Sequence, residues 1–162
     1  MDNDDSVSIY FTDEIQKYFQ KQNYLALDFV DGYTLHISPE LRLGKRKHLY
    51  NPFISLIEKN ENFKTVCSKG HTQWKKEPKL LRIENKRIWM SIIHSENKVN
   101  EFEGYGNVNA SQVLENFAFS ELLKNEILSH LKPQKNWIFT SFKNWLKTLW
   151  TVFSKDLKRK FY

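Results

Sequence analysis

The chain has 162 residues, a net charge of +6, 40% hydrophobic and 27% charged residues, and a single cysteine, Cys67. This length and apolar content predict one domain spanning residues 1–162 and exclude an intrinsically disordered chain. One cysteine excludes an internal disulfide, the acidic first residues argue against a secretory signal, and no apolar run is long enough to cross a bilayer. We therefore expect a protein of the reducing cytoplasm.

The net positive charge belongs to the last part of the sequence. From Lys135 to Tyr162 there are seven basic residues and one acidic residue, Asp156, whereas residues 1–134 contain 18 of each sign. Binding to phosphate groups that depends on net charge is therefore expected from the C-terminal segment.

The first half of the sequence predicts two helices with a hairpin between them. A Thr-Asp-Glu start followed by helical spacing predicts a helix over residues 12–22. Alternating apolar residues on both sides of Asp31-Gly32 predict that residues 25–29 and 33–37 pair as an antiparallel hairpin. An Asn-Pro start predicts another helix over residues 51–59.

The middle of the sequence changes to short strand-like runs separated by turn residues. The runs cover residues 63–68, 80–84, 87–94 and 99–105. Consecutive strands joined by short turns are usually antiparallel neighbours. We therefore predict an α+β fold, with an antiparallel sheet of about five to six strands built from hairpins and packed against terminal helices.

A helix is predicted from Asn109 or Ser111 to Leu131, where Pro133 ends it. Its apolar residues lie nearly all round the helix, which is typical of a central, buried element. We therefore expect Leu122 to be part of the core.

Residues 134–162 predict a basic amphipathic C-terminal helix. At helical spacing its large apolar side chains form one broad stripe: Ile138, Phe142, Trp145, Leu146, Leu149, Trp150, Phe153, Leu157 and Phe161. Most such helices of small domains pack against the body, so we expect this stripe in the core. The alternative is a helix that lies in a membrane interface, for which a basic, aromatic composition is typical.

A second candidate surface combines basic and aromatic residues, as single-stranded nucleic acids require. The candidate partner-binding residues are Arg42, Lys45, Arg46, Lys47, Tyr50, Trp74, Lys75 and Lys76. The alternative interpretation is a solvated loop rich in lysine, since no known nucleic-acid-binding motif accompanies the cluster.

The sequence predicts no catalytic, cofactor or metal site. Cys67 and His71 are four residues apart, but no second pair completes a zinc site, and a buried free thiol is expected. No phosphate-binding loop, nucleophile elbow or metalloprotease motif occurs. The weak enzymatic alternative is a metal-independent nuclease using Lys69, His71 and His94.

Size, expected compartment and missing motifs favour a non-enzymatic protein-binding module. We expect a small bacterial immunity or antitoxin protein that neutralises a toxin by direct binding, through an exposed sheet edge or hairpin. The alternative is an accessory protein that binds nucleic acid or an anionic membrane through the C-terminal helix and the patch from Arg42 to His48.

Overall fold

A computed structural model describes residues 5–59, 65–95 and 101–160 of the chain. It is an α+β structure with two mixed sheets and a long C-terminal helix. The strands are β1 (Asp5–Val7), β2 (Tyr24–Phe29), β3 (Asp31–His36), β4 (Arg42–Lys47), β5 (Ser55–Glu58), β6 (Leu80–Ile83) and β7 (Trp89–Ile93). The helices are α1 (Phe11–Gln16), α2 (Ala110–Glu115), α3 (Glu121–His130) and α4 (Ile138–Lys160), with 3₁₀ turns at Val66–Ser68, His71–Lys76 and Gln134–Trp137.

The two sheets share a bent central ribbon made of β2 and β3. The four-stranded sheet has the order β1-β7-β3-β4, and the three-stranded sheet has the order β5-β2-β6. β2 is parallel to β6, and β3 is parallel to β7. Val30 lies between β2 and β3, its N–H donating to the Ile83 carbonyl at 3.1 Å and its carbonyl accepting from the His48 N–H at 2.8 Å. Backbone hydrogen bonding therefore continues through the bend.

The predicted hairpin at Asp31-Gly32 is wrong, although both strands are present. β2 and β3 belong to different sheets and do not pair with each other. Gly32 serves close packing instead, because a Cβ built there would lie 2.3 Å from the Trp89 ring. Gly32 is required here because it has no side chain, rather than because it forms a turn.

The single antiparallel sheet predicted from short connections is also only partly correct. The runs at 80–84 and 87–94 form β6 and β7, but each pairs in parallel with a strand distant in sequence. The predicted helix over residues 51–59 is wrong, because Ser55–Glu58 forms β5 against β2. The basic residues Arg42, Lys45, Arg46 and Lys47, for which a solvated loop was the alternative interpretation, lie in β4.

Two other predicted strands are absent from the described residues. Residues 65–68 contain a 3₁₀ turn, and residues 101–105 contribute a single bridge, between Tyr105 and Lys45. The rest of those two runs lies outside the described residues. The predicted helix over 12–22 is confirmed as the shorter α1.

The predicted central helix is two short helices. α2 begins at Asn109, whose side chain accepts from the Gln112 N–H at 3.2 Å, and Ser120 caps α3 in the same way at 3.3 Å. Leu114 is fully buried, but Leu122 is 81% exposed. The expectation that Leu122 is in the core is wrong, since the interruption between the helices rotates the second apolar face towards solvent.

Apolar side chains form three buried clusters. One lies under α2 and α3 and contains Leu35, Leu43, Met90, Val113, Leu114, Phe117 and Ile127. The second lies around the bend and contains Leu27, Phe29, Phe53, Ile83, Ile88 and Trp89. The third contains Ala26, Val30, Leu49, Tyr50, Ile54, Trp74 and Leu80. Of α4, the partly buried Val152 packs against this third cluster.

A buried carboxylate holds the segment between β4 and β5. Asp28 is fully buried and accepts from the Tyr50 N–H at 2.8 Å and from the Asn51 side chain at 3.1 Å. The Asn51 amide nitrogen also donates to the Phe29 carbonyl at 2.9 Å. Burial raises the pKa of Asp28 to about 6, although these hydrogen bonds and the charges of nearby Arg82 and Lys155 oppose that rise.

We expect Leu122→Ala to change the free energy of unfolding by less than about 1 kcal/mol, since its side chain is already in water. Leu114→Ala, which removes a fully buried side chain of the same type, should cost about 2 to 5 kcal/mol. Urea denaturation of both variants measures the difference. Equal losses would contradict the placement of α3.

The stability of the protein should depend on the titration of Asp28. Because its folded pKa is raised, the native state keeps a proton that the unfolded chain loses, so Asp28 lowers the free energy of unfolding as pH rises from about 4 to about 6. Relative to Asp28→Asn, the wild type should lose up to about 3 kcal/mol over this range. Urea denaturation of both proteins at the two pH values measures this loss, and a wild type that loses no more stability than Asp28→Asn would contradict it.

Candidate docking surface

The predicted basic and aromatic patch is not one open surface. Arg46 is buried and its guanidinium lies 3.4 Å from the Glu103 carboxylate, and burial lowers the pKa of Arg46. Lys47 bridges Glu84 at 3.1 Å and Asp31 at 3.9 Å. These cations are engaged by acidic side chains of the same chain, which reduces their attraction for phosphate.

The other members of the patch are separated or buried. Arg42 lies 3.8 Å from Glu40 and 5.2 Å from the centre of the Phe102 ring. Tyr50 and Trp74 belong to the third cluster, with exposed fractions of 5% and 1%, so neither ring is available for stacking on a base. Lys45 pairs through its backbone with Tyr105, and Lys75 and Lys76 follow Trp74 in a 3₁₀ turn. Partner binding by the remaining lysines stays a prediction.

The weaker chemical candidates are Cys67, Lys69, His71 and His94. Cys67 is exposed, so the expected buried thiol is wrong, and no group of three metal-binding side chains occurs in residues 5–59, 65–95 and 101–160. Lys69 forms an ion pair with Glu77 and lies 4.9 Å from the centre of the Trp74 ring. His94 lies at the end of the four-stranded sheet, in a different element. The nuclease alternative with Lys69, His71 and His94 stays a prediction.

The most unusual surface is formed by α4. Its polar face attaches the helix to the rest of the protein, which we call the body. Asn144 is buried, and its side-chain amide donates to the carbonyls of Phe102 and Gly104, both at 3.0 Å. One turn earlier, the buried Ser141 hydroxyl accepts from the Gly106 N–H at 2.9 Å. These contacts hold the side of the helix that has short polar side chains against residues 102–106.

Ion pairs continue this attachment along the helix. Lys147 lies 2.8 Å from Glu103, and the hydrogen bond between them raises the pKa of Lys147. Asp156 makes a two-point ion pair with Arg82 of β6. Lys155 donates to the Leu49 carbonyl at 3.3 Å, and burial lowers its pKa. Both halves of α4 are therefore held by polar contacts.

As a result the apolar stripe of α4 is left largely exposed, although Trp145, Leu149 and Phe153 also line a cavity between α4 and the sheets. We call this surface the outer face: Ile138, Phe139, Phe142, Trp145, Leu146, Leu149, Trp150, Phe153 and Leu157, all exposed by 42% to 88%. The expectation that the stripe packs in the core is wrong. The aromatic rings on this face contact each other instead. The ring centres of Phe142 and Trp145 are 5.8 Å apart, and those of Trp150 and Phe153 are 6.2 Å apart.

The outer face has basic margins. Lys135 and Lys143 are exposed beside it, and the last turn of α4 contains Lys158, Arg159 and Lys160 in sequence. Asp156 is the one acidic residue of this segment, and its charge is balanced by Arg82. The helix therefore combines exposed aromatic and aliphatic side chains with an excess of positive charge.

A cavity of about 450 Å³ opens between α4 and the sheets. Its apolar side includes Trp145 and Leu149, and its polar side includes Asp31, Lys47 and Arg87. Asp31 is buried and lies 3.7 Å from Arg87 and 3.9 Å from Lys47. The two cations of this cavity share the Asp31 carboxylate, and Lys47 also pairs with Glu84.

Sequence reasoning found the stripe but not its direction. The signal for its direction lies on the opposite side of the helix, where Ser141, Asn144, Thr148 and Thr151 are small and uncharged. A solvated helix face usually carries long charged side chains, whereas short hydroxyl and amide groups suit close contact with a backbone. No helix in the described part of the chain is long and apolar enough to cross a membrane.

Asn144→Ala should destabilise the protein by about 1 to 3 kcal/mol, because the carbonyls of Phe102 and Gly104 lose their shared donor where water has little access. The control is Asn125→Ala, which removes an exposed amide from the surface of α3 and should change stability by less than about 0.5 kcal/mol. Thermal or urea unfolding measures both. If the two variants lose the same stability, the polar face of α4 does not hold the helix.

No protein-family model, curated protein or solved structure matches the chain.

Proposed function

We propose that this protein is a non-enzymatic binding protein that docks onto its partner through the outer face of α4. The observation that supports this most directly is the inverted attachment of the helix. Its polar side is hydrogen-bonded to the body through Asn144 and Ser141, and its aromatic side is presented to solvent. An apolar face held outward in this way is available for a partner without any rearrangement of the body.

The size of the outer face supports a binding role. Five aromatic side chains are exposed by 42% to 88%: Phe139, Phe142, Trp145, Trp150 and Phe153. Together they expose on the order of 600 Å² of ring surface, before the aliphatic residues are added. The largest apolar patch of a typical monomer covers about 300 to 600 Å² and is often functional. Covering the outer face would therefore remove an unusually large apolar surface from water.

The predicted immunity or antitoxin role remains one form of this proposal, with a protein toxin as the partner. Docking through α4 then replaces the sheet edge that we expected from sequence. Nucleic-acid binding through the patch from Arg42 to His48 has less support, because Arg46 and Lys47 are engaged by acidic residues and the nearby Tyr50 ring is buried.

The double variant Phe139→Glu/Trp150→Glu tests the docking function. Both side chains are strongly exposed, so the variant should fold normally while two charges prevent the outer face from being covered. In an extract of the cells that produce the protein, the tagged wild type should migrate in a larger assembly in a density gradient. The double variant should migrate at the size of the free protein.

The matched control is Phe19→Glu/Leu122→Glu, which places the same charges at exposed apolar positions away from α4. This variant should keep the assembly, and circular dichroism confirms that all three proteins are folded. Migration of the wild type as free protein, or loss of the assembly in the control as well, would contradict docking through the outer face.

A further inference from the structure

We propose that the partner of the outer face is an anionic lipid bilayer, with α4 lying in the plane of the membrane interface. This inference depends on the docking function proposed above and identifies the partner. It follows from three properties of α4, which are its residue types, its charge and the shape of its exposed surface.

The residue types are those of an interfacial helix. The outer face contains Trp145 and Trp150 together with phenylalanine, leucine and isoleucine, while basic residues lie at its margins and in the last turn. Indole rings favour the boundary between headgroups and acyl chains, because one edge is apolar and the N–H needs a polar partner. Helices that lie in this boundary combine such residues with lysine and arginine.

The charge of α4 selects an anionic partner and opposes a second copy of the chain. Residues 135–162 contain seven basic residues, of which Lys147 pairs with Glu103 and Lys155 donates to the Leu49 carbonyl, while their acidic residue, Asp156, pairs with Arg82. Two copies packed through their outer faces would bring their Lys143 margins together with no acidic side chains to alternate with them. A surface of anionic headgroups attracts each such lysine or arginine instead.

The shape of the outer face favours a fluid partner over a protein groove. Successive helix residues are about 100° apart around the axis. The exposed side chains of the outer face, from Trp145 at one edge to Trp150 at the other, therefore cover an arc of about 140°. Phe139 is 88% exposed and Trp150 is 71% exposed, so these two side chains stand out most from the outer face. Lipid chains adapt to a broad, irregular, projecting surface, whereas helix recognition in a groove uses a narrower row of anchors.

The attachment of α4 also gives the right orientation at a membrane. The helix is held to the body through Ser141 and Asn144, so insertion of the exposed Phe142 and Trp150 leaves both sheets on the aqueous side. Lys143, exposed at the margin, would reach the headgroup level. The helix is about 35 Å long, which allows many shallow contacts along the surface.

The test uses the full-length protein and vesicles of phosphatidylcholine, with or without about 30% phosphatidylglycerol. Wild-type protein should bind the anionic vesicles on the order of tenfold or more tightly than the neutral ones at low salt, and this advantage should shrink as salt rises to about 0.5 M. Phe139→Ser/Trp150→Ser should lose binding to both vesicles. Lys135→Glu/Lys143→Glu should lose only the preference for anionic lipid. Phe19→Ser/Leu122→Ser, the matched control, should bind like the wild type.

Three results would overturn the proposal. Folded wild type that does not bind anionic vesicles excludes lipid as the partner, and if the outer face is still needed for assembly in the cell extract, the docking function stands. Vesicle binding that survives Phe139→Ser/Trp150→Ser would show that the cations act alone. Binding of single-stranded DNA as tightly as of vesicles, with the same dependence on Phe139 and Trp150, would make the outer face a platform for bases.

Discussion

The orientation of α4 depends on the side-chain amide of Asn144. Its two donors pair with two backbone carbonyls, of Phe102 and Gly104, in a segment that forms no regular strand. An unpaired buried carbonyl costs more than one hydrogen bond contributes, so a helix turned by half a revolution would leave these groups unsatisfied and bury no comparable donor. Lys147 and Asp156 then fix the same orientation at later turns. The apolar stripe faces solvent because the other side of the helix is needed by the body.

The bend at Val30 explains why the strands but not the sheets could be predicted. Alternating hydrophobicity is a local property and correctly indicates extended chain over β2, β3, β6 and β7. Pairing is decided at a distance, because the Trp89 ring lies against Gly32, where any side chain would collide with it, and its indole N–H donates to the Phe29 carbonyl. No local pattern records that contact. The rule that short connections join neighbouring strands therefore gave antiparallel pairs where the fold has parallel ones.

The candidate site could be predicted in part for the same reason: the local pattern indicates the helix, but it does not indicate the distant contacts that orient it. The amphipathic pattern of residues 138–157 correctly gives a helix and the members of its apolar face. Its direction depends on which surface of the body is available. In the described part of the chain the buried clusters are formed by the strands, α1 to α3, the connecting segments and the 3₁₀ turns, and Val152 is the residue of α4 that packs against them. The neutral row from Ser141 to Thr151 is the part of the sequence that records this arrangement. The local pattern around Arg46 likewise does not record its acidic partner Glu103, which is far away in sequence.

An exposed apolar helix face does not stabilise an isolated protein, so the stability of the fold must come from other residues. The residues that stabilise the fold and those of the outer face are separate. The body is electrically balanced and contains the buried clusters, whereas the outer face adds apolar area and positive charge without contributing to the core. Substitutions on the outer face can therefore change affinity for a partner with little effect on folding, whereas substitutions of Asn144 act on both. A helix that was amphipathic only for packing would show the reverse, with its aromatic residues protected and its polar row in water.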